Sequence, residues 1–400
     1  MKTSRSWWTG TRDYLIMPPA TSRQRAHGKR TPKWILLFVS LAAVFLISAY
    51  YLYQPRSTVS AAPCSVFAPG GCTTTYDGDR VVPAKVFTDE ETSSHVVIRE
   101  ILSTPPPLSK SPKIAFMFLT PSSLPFEMLW ERFFQGHEDK FTVYIHSSRD
   151  KPIHSSRYFV GREIRSEKVE WGKISMVDAE RRLLANALLD PDNHQFVLLS
   201  DSCVPLRTFN YVYHYLMFTN VSYIDSYVDP GPHGNGRYSD RMMPEVRYSD
   251  FRKGAQWFSM KRQHAIIVMA DSLYYRKFRL YCRPNMDGKN CYSDEHYLQT
   301  FFTMIDPDGI AKRSVTHVDW SEGKWHPRSY RASDITYELL KNLTTIDEAI
   351  HVTSEGKQKV TTWRPCFWNG VKRPCYLFAR KFYPNTLDKL LYHFSNYTTN

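Results

Sequence analysis

Residues Trp34 to Tyr53 (WILLFVSLAAVFLISAYYLY) run for twenty positions without a charge, and no other feature limits the chain so strongly. At about 1.5 Å of rise per residue such a helix reaches roughly 30 Å, the thickness of a bilayer hydrocarbon core. A membrane-spanning signal anchor is expected over 34–53, with a buried core helix as the other reading. A cleaved leader has a shorter apolar region and a small-residue cleavage site, whereas tyrosines close this segment, as in an interfacial aromatic belt. Residues 1–33 carry eight Lys/Arg against one acid, Asp13, while the stretch after the span holds little charge beyond Arg56. The positive-inside rule then keeps 1–33 cytosolic and sends the chain beyond the span into the secretory lumen. Removing the tail's +7 from the +13 of the whole chain leaves +6, so the basic balance no longer argues for nucleic acid.

An oxidising lumen pairs cysteines, and seven are present. Spacing suggests Cys64 with Cys72, Cys282 with Cys291 and Cys366 with Cys375, although spacing alone does not prove connectivity. Cys203 is left over behind the apolar run FVLLS, either a small buried thiol or a reactive one. Sequons at Asn220, Asn342 and Asn396 agree with a luminal address, each being a weak signal alone. Residues 54–112 are rich in Pro, Ser, Thr and Gly and end in STPPPLSKSP, the composition of a stem.

From 113 to 400, apolar runs alternate with helical patterns. KIAFMFLT, FTVYIHS and QFVLLSD read as buried strands, and Ser175 to Leu189 as a helix between two of them. That order predicts an α/β domain with a mostly parallel sheet, in one unit or split into two. Further helices are expected over Tyr211 to Phe218 and over Asp294 to Ile305 behind a Ser293 N-cap, and further strands in AQWFSM, THVDW and YLFARKF. The chain lacks G-x-S-x-G, H-E-x-x-H and G-x-x-x-x-G-K-[ST], which removes the common hydrolase elbow, zincin and phosphate-loop chemistries. Asp229-Pro-Gly-Pro-His-Gly-Asn-Gly-Arg237 reads as a flexible loop, and the arginines that follow it as either a site border or a solvated basic face.

KIAFMFLTPSSLPFEMLWERFF, VYIHS, FVLLSDSCVPLR, DPGPHGNGRY, RKGAQWF, YSDEHY, VDWSEGKWHP and YLFARKF occur in this order. Together they resemble the plant branch of the core-2/I-branching N-acetylglucosaminyltransferase family, which includes the brittle-culm type glycosyltransferase-like proteins, over about residues 113–394. The resemblance implies a GT-A type, Rossmann-like domain that inverts a UDP-sugar onto a glycan or polysaccharide acceptor, with no metal ion and with a Golgi type II address. N-acetylglucosamine is the candidate sugar, though plant members need not share it. The oligomeric state is left open.

By the same resemblance Glu295, in Ser293-Asp294-Glu295-His296, is the base that takes the proton of the acceptor hydroxyl. In the first turn of a helix the macrodipole favours its ionised form, and acids are common there for structural reasons alone. The departing diphosphate needs cations. Lys381 matches one such position, with Arg373 as a looser match for its partner. Thr120, His146 and Trp171 resemble nucleotide-side positions, and Asp225, Arg237 and Trp320 acceptor-side ones. His146 reads equally as a satisfied strand-end histidine, and Trp320 as core. Two rivals remain: a metal-dependent transferase using Asp201, the single acid of Ser200-Asp201-Ser202, and a catalytically silent luminal scaffold or glycan-binding protein.

Overall fold

A computed structural model describes residues 109–322, 326–355 and 358–398. The expected anchor at 34–53, the stem and the Cys64/Cys72 pair lie outside the described residues. Among the described residues, no helix is long and apolar enough to cross a membrane.

The three apolar runs form strands: β1 (Lys113–Thr120) and β2 (Phe141–Ser147) over the expected segments, and β3 (Asn193–Ser200), which starts two residues before QFVLLSD and leaves Asp201 in the following turn. Side chains alternate across a strand, so β1 feeds two cores at once. Ile114, Phe116 and Phe118 enter one, and Ala115, Met117 and Leu119 the other. Burial on both faces is why these strands read as continuous apolar runs.

The first core is closed by α1 (Glu127–Phe134) and α3 (Phe209–Met217). The second is closed by α2 (Ser175–Leu188) and, further along, by α4 (Arg262–Ala270), α5 (Leu273–Tyr281) and α6 (Tyr297–Ile305). Phe116 centres an aromatic cluster, with the rings of Trp130, Phe133, Phe134, Phe141, Phe209 and Phe378 at 5.0–6.5 Å.

The main sheet runs β2-β1-β3-β5, parallel through β3, with β5 (Ser259–Lys261) antiparallel at the edge. Only the end of the AQWFSM run is therefore strand. A second sheet sets β11 (Phe378–Arg380) between β4 (Val204–Pro205) and β6 (Thr316–Val318), parallel to β6. Since β4 follows directly on the turn after β3, it joins the second sheet to the carboxyl end of the first. Beyond α7 (Tyr337–Thr345), the hairpin β7 (Glu348–Glu355) and β8 (Gln358–Pro365) pairs from Glu348↔Pro365 to Glu355↔Gln358. A short hairpin of β9 (Phe367–Trp368) and β10 (Val371–Lys372) precedes β11, and α8 (Leu387–Thr398) packs into the first core.

Cys282–Cys291 and Cys366–Cys375 are formed as the spacing suggested, and Cys203 is a buried thiol. The expected Ser293 N-cap is not made. Ser293 Oγ donates to the Cys282 carbonyl, Ser293–Glu295 is a single 3₁₀ turn, and α6 begins only at Tyr297. The disulfide loop thus takes the hydroxyl that would have capped the helix.

Replacing Phe116 with Ala removes the ring that six others pack on; a loss of about 3–5 kcal/mol is expected, read from the shift in denaturant midpoint at unchanged slope.

Candidate active site

In an open α/β sheet, ligands gather beyond the carboxyl ends of the parallel strands. Thr120 pairs with Ser147, Leu119 with both His146 and Ser200, and Asp201 follows, so three strand ends form one edge. Thr120 organises that edge: its hydroxyl donates to the Ser123 carbonyl and accepts from the Ser122 amide. His146 is fully buried, and its Nε2 lies 2.9 Å from an Arg182 Nη1 and accepts the Glu167 amide. Its Nε2 thus ties the 165–170 segment to the edge, while its buried Nδ1 makes no hydrogen bond among the described residues.

The second sheet brings cations to the same edge. The Phe382 amide donates to the Ser202 carbonyl at 3.1 Å, so the end of β11 meets the turn that carries Asp201. Both Arg380 and Lys381 act electrostatically on Asp201, opposing the burial that raises its pKa. Arg373 instead lies exposed on the Cys366–Cys375 loop, with its charge acting at Tyr211. The partner of Lys381 at this edge is Arg380, whose guanidinium stacks 4.3 Å over Trp257. Trp320 follows β6, whose Val318 pairs with Arg380, and its side chain is 47% exposed; it is not core. Among the described residues, no three His, Cys, Asp or Glu side chains gather where they could hold a metal ion.

Glu295 lies at the other end of one strip, 252–258, which bends at Gln256. The Gly254 amide donates to the Glu295 carbonyl at 3.0 Å, the Ala255 amide to Asp225 Oδ2 at 2.8 Å, and Trp257 lies beneath Arg380. The strip therefore touches the Glu295 backbone at Gly254 and the Arg380 guanidinium at Trp257. Gly254 has no substitute here, because a Cβ would stand 2.0 Å from the Asp225 carbonyl oxygen.

Arg237 donates from Nη1 to Glu295 Oε2 at 2.6 Å, and the Glu295 side chain is 28% exposed. The expected macrodipole contact is thus replaced by an ion pair, since the α-helix starts two residues later. The same guanidinium lies 4.5 Å from the Tyr292 ring, which contacts the exposed Trp171 at 4.9 Å. His296 donates from Nδ1 to the Arg252 carbonyl at 2.7 Å; burial, then the charge of Arg237, depress its pKa well below the usual range, so it stays neutral. Lys253, which drew no notice in the sequence, sits between Asp229 and Glu295 with its ammonium 3.5 Å from Asp229 Oδ2.

Asp225 is not open to an acceptor. It is buried, and while Ala255 takes one oxygen, His351 Nε2 from β7 lies 2.7 Å from the other. Beneath Glu295, Asp294 is buried with Oδ1 unpartnered, and burial together with the charge of Glu295 pushes its pKa up to about 7. Glu180 on α2 is also buried and raised well above its usual range, first by burial and then by Asp294, while Gln256 donates to it at 2.8 Å. Neither acid was legible in the sequence. Arg380 and Trp257 could have been marked, because both stand in the quoted LFARKF and RKGAQWF segments.

The α/β domain thus carries an ion-paired carboxylate, Glu295, and two cations beside Asp201 at the strand ends. Residues 114–344 match the Core-2/I-Branching enzyme family. The chain is also 37% identical over 302 residues to "Glycosyltransferase BC10" of Oryza sativa subsp. japonica, an alignment covering 68% of this chain and 73% of that protein. The chain belongs to the core-2/I-branching enzyme family and is a glycosyltransferase.

A folded-state pKa above the unfolded value means that ionising Asp294 costs stability as pH rises from its ordinary 3.8 to about 7. Asp294→Asn is expected to raise the melting temperature by an amount that is negligible near pH 4, grows up to pH 7 and is constant above, read from melts across that range.

Proposed function

We propose that the chain is an inverting, GT-A type glycosyltransferase that moves a sugar from a UDP-sugar to a glycan or polysaccharide acceptor in the secretory lumen. The acceptor oxygen attacks the anomeric carbon, the bond to the diphosphate oxygen breaks, and the acceptor proton passes to Glu295. The observation that carries this reading is the strip 252–258, which contacts Glu295 through Gly254 and Arg380 through Trp257. Arg237 occupies Oε2 of Glu295, leaving Oε1 for the acceptor hydroxyl.

Lys381 and Arg380 neutralise the departing diphosphate. Asp201 is a lone acid beside two cations, a donor set that favours an anionic leaving group over a divalent ion and supports catalysis without metal. Thr120 and Trp171 belong to the donor side. The acceptor side is assigned to Trp320, whose exposed indole suits the apolar face of a pyranose, and to Arg237 acting through Glu295. Asp225 positions the strip rather than the sugar.

A Golgi type II topology is supported by the apolar run at 34–53, by two formed disulfides, and by Asn220, Asn342 and Asn396 all standing exposed. N-acetylglucosamine is the first donor to try, the branch being named for its transfer.

The test is turnover of a UDP-sugar panel by the full-length chain, with and without EDTA. Glu295→Gln is expected to lower kcat by about 10²- to 10⁴-fold with donor binding retained. EDTA sensitivity, or full activity of the variant, overturns the mechanism. Losing one charged hydrogen-bond donor costs about 1.5–3 kcal/mol, so Arg380→Ala is expected to weaken UDP binding roughly tenfold or more. Arg373→Ala is expected to leave it unchanged in the same titration.

A further inference from the structure

A cavity of about 490 Å³ opens beyond the carboxyl end of α3, walled by the 311–313 loop, the base of the β7–β8 hairpin and the β9–β10 turn. It shares no residue with the Glu295 or Lys381 groups. Its volume is in the range of small-ligand sites, and its chemistry is one-sided. Of the described residues lining it, three are cations, Lys312, Arg313 and Arg364, and none is Asp or Glu.

Arg313 is 6% exposed and has no carboxylate partner. Its donors go to the Cys375 carbonyl at 2.9 Å, the Tyr215 hydroxyl at 2.6 Å and the Phe367 carbonyl at 3.4 Å, and its guanidinium lies 4.8 Å over the Tyr223 ring. A buried charge balanced only by neutral acceptors attracts an anion. Lys312 and Arg364 are exposed at the mouth, and neither forms a salt bridge among the described residues. Lys312 also holds a left-handed backbone, at φ 53°, which a non-glycine residue adopts at a cost and which clusters at binding sites.

The apolar wall is aromatic. Phe367 is 54% exposed beside Trp368, whose indole N–H is already donated to the Tyr215 carbonyl at 2.8 Å, so its ring is fixed. Cations placed beside fixed aromatic faces match a pyranose that carries a carboxylate: the charge meets the guanidinium and ammonium groups, and the ring's C–H face meets Phe367.

We propose that this cavity is a second saccharide site, separate from the reaction centre, that takes an acidic sugar unit of a glycan. It does not require that Glu295 and Lys381 act as assigned above. A glycan held here is tethered to the enzyme that extends it, which raises its effective concentration at the reaction cleft.

The experiment titrates the full-length chain in detergent with a glucuronate-containing trisaccharide and with its carboxyl-reduced counterpart, by calorimetry. The acidic sugar is expected to bind at least tenfold more tightly than the neutral one. Lys312→Ala with Arg364→Ala is expected to abolish that preference at an unchanged melting temperature, because both side chains are exposed. Phe367→Ala is expected to weaken the sugar without changing the affinity for inorganic sulfate. Glu295→Gln and saturating UDP are expected to leave the binding intact.

Equal binding of the neutral sugar overturns the proposal, and so does sulfate displacing the trisaccharide at equal concentration, which marks a plain anion site. Competition by UDP overturns it by moving the binding to the reaction centre. Binding that appears only after a glycan is enzymatically removed from Asn220, on the cavity rim, overturns it by assigning the space to the protein's own modification.

Discussion

The hydrogen bond from the Gly254 amide to the Glu295 carbonyl fixes where Glu295 stands, and the rest of the candidate site is built on it. It works only because residue 254 has no side chain and can lie against the Asp225 carbonyl. From that point the strip leads one way to Lys253 and Tyr227, paired through both backbone hydrogen bonds, and the other way to Trp257 under Arg380. His351 reaches across from the hairpin to Asp225 and so holds the strip from behind. The strip is a ruler between Glu295 and Arg380.

Charge is arranged around that ruler in alternating sign. Arg237 faces Glu295, Lys253 faces Asp229, and Asp201 faces Arg380 and Lys381. Each pair limits the desolvation cost of its members, which would be several kcal/mol for an unpaired buried ion. Asp294 and Glu180 stand outside this scheme, with no cation bonded to either, and burial drives both toward the neutral form. They let acidic side chains pack beneath Glu295 without adding their full charge to it.

Much of the fold was legible because the central strands are buried on both faces. KIAFMFLT, FTVYIHS and the run through FVLLS announce themselves as strands, and Ser175 to Leu188 shows its helical face. The hairpin 348–365 was not legible: β8 carries Lys, Gln and Arg on fully exposed surface, and the buried face of β7 is only Ala349 and His351, with Ile350 and Val352 turned outward. The α6 boundary was misplaced for a different reason. Ser293 has the right residue type for a cap, but a disulfide loop eleven residues earlier in the chain claims its hydroxyl.

Apart from Glu295 and Lys381, to which only the resemblance of the motif order to a known family pointed, the sequence by itself determined the apolar span, the order of the central strands and helices, and the short cysteine spacings. These are local properties, set by periodicity, residue type and short spacing. Only the tertiary structure decided that Arg380 and Lys381 both stand near Asp201, that Arg237 grips Glu295, and that His351 pairs with Asp225. Those outcomes depend on which distant segments meet, 58 residues apart for Arg237 and Glu295 and 126 for Asp225 and His351. Such meetings are set by how two sheets and a hairpin pack together, which no local pattern encodes.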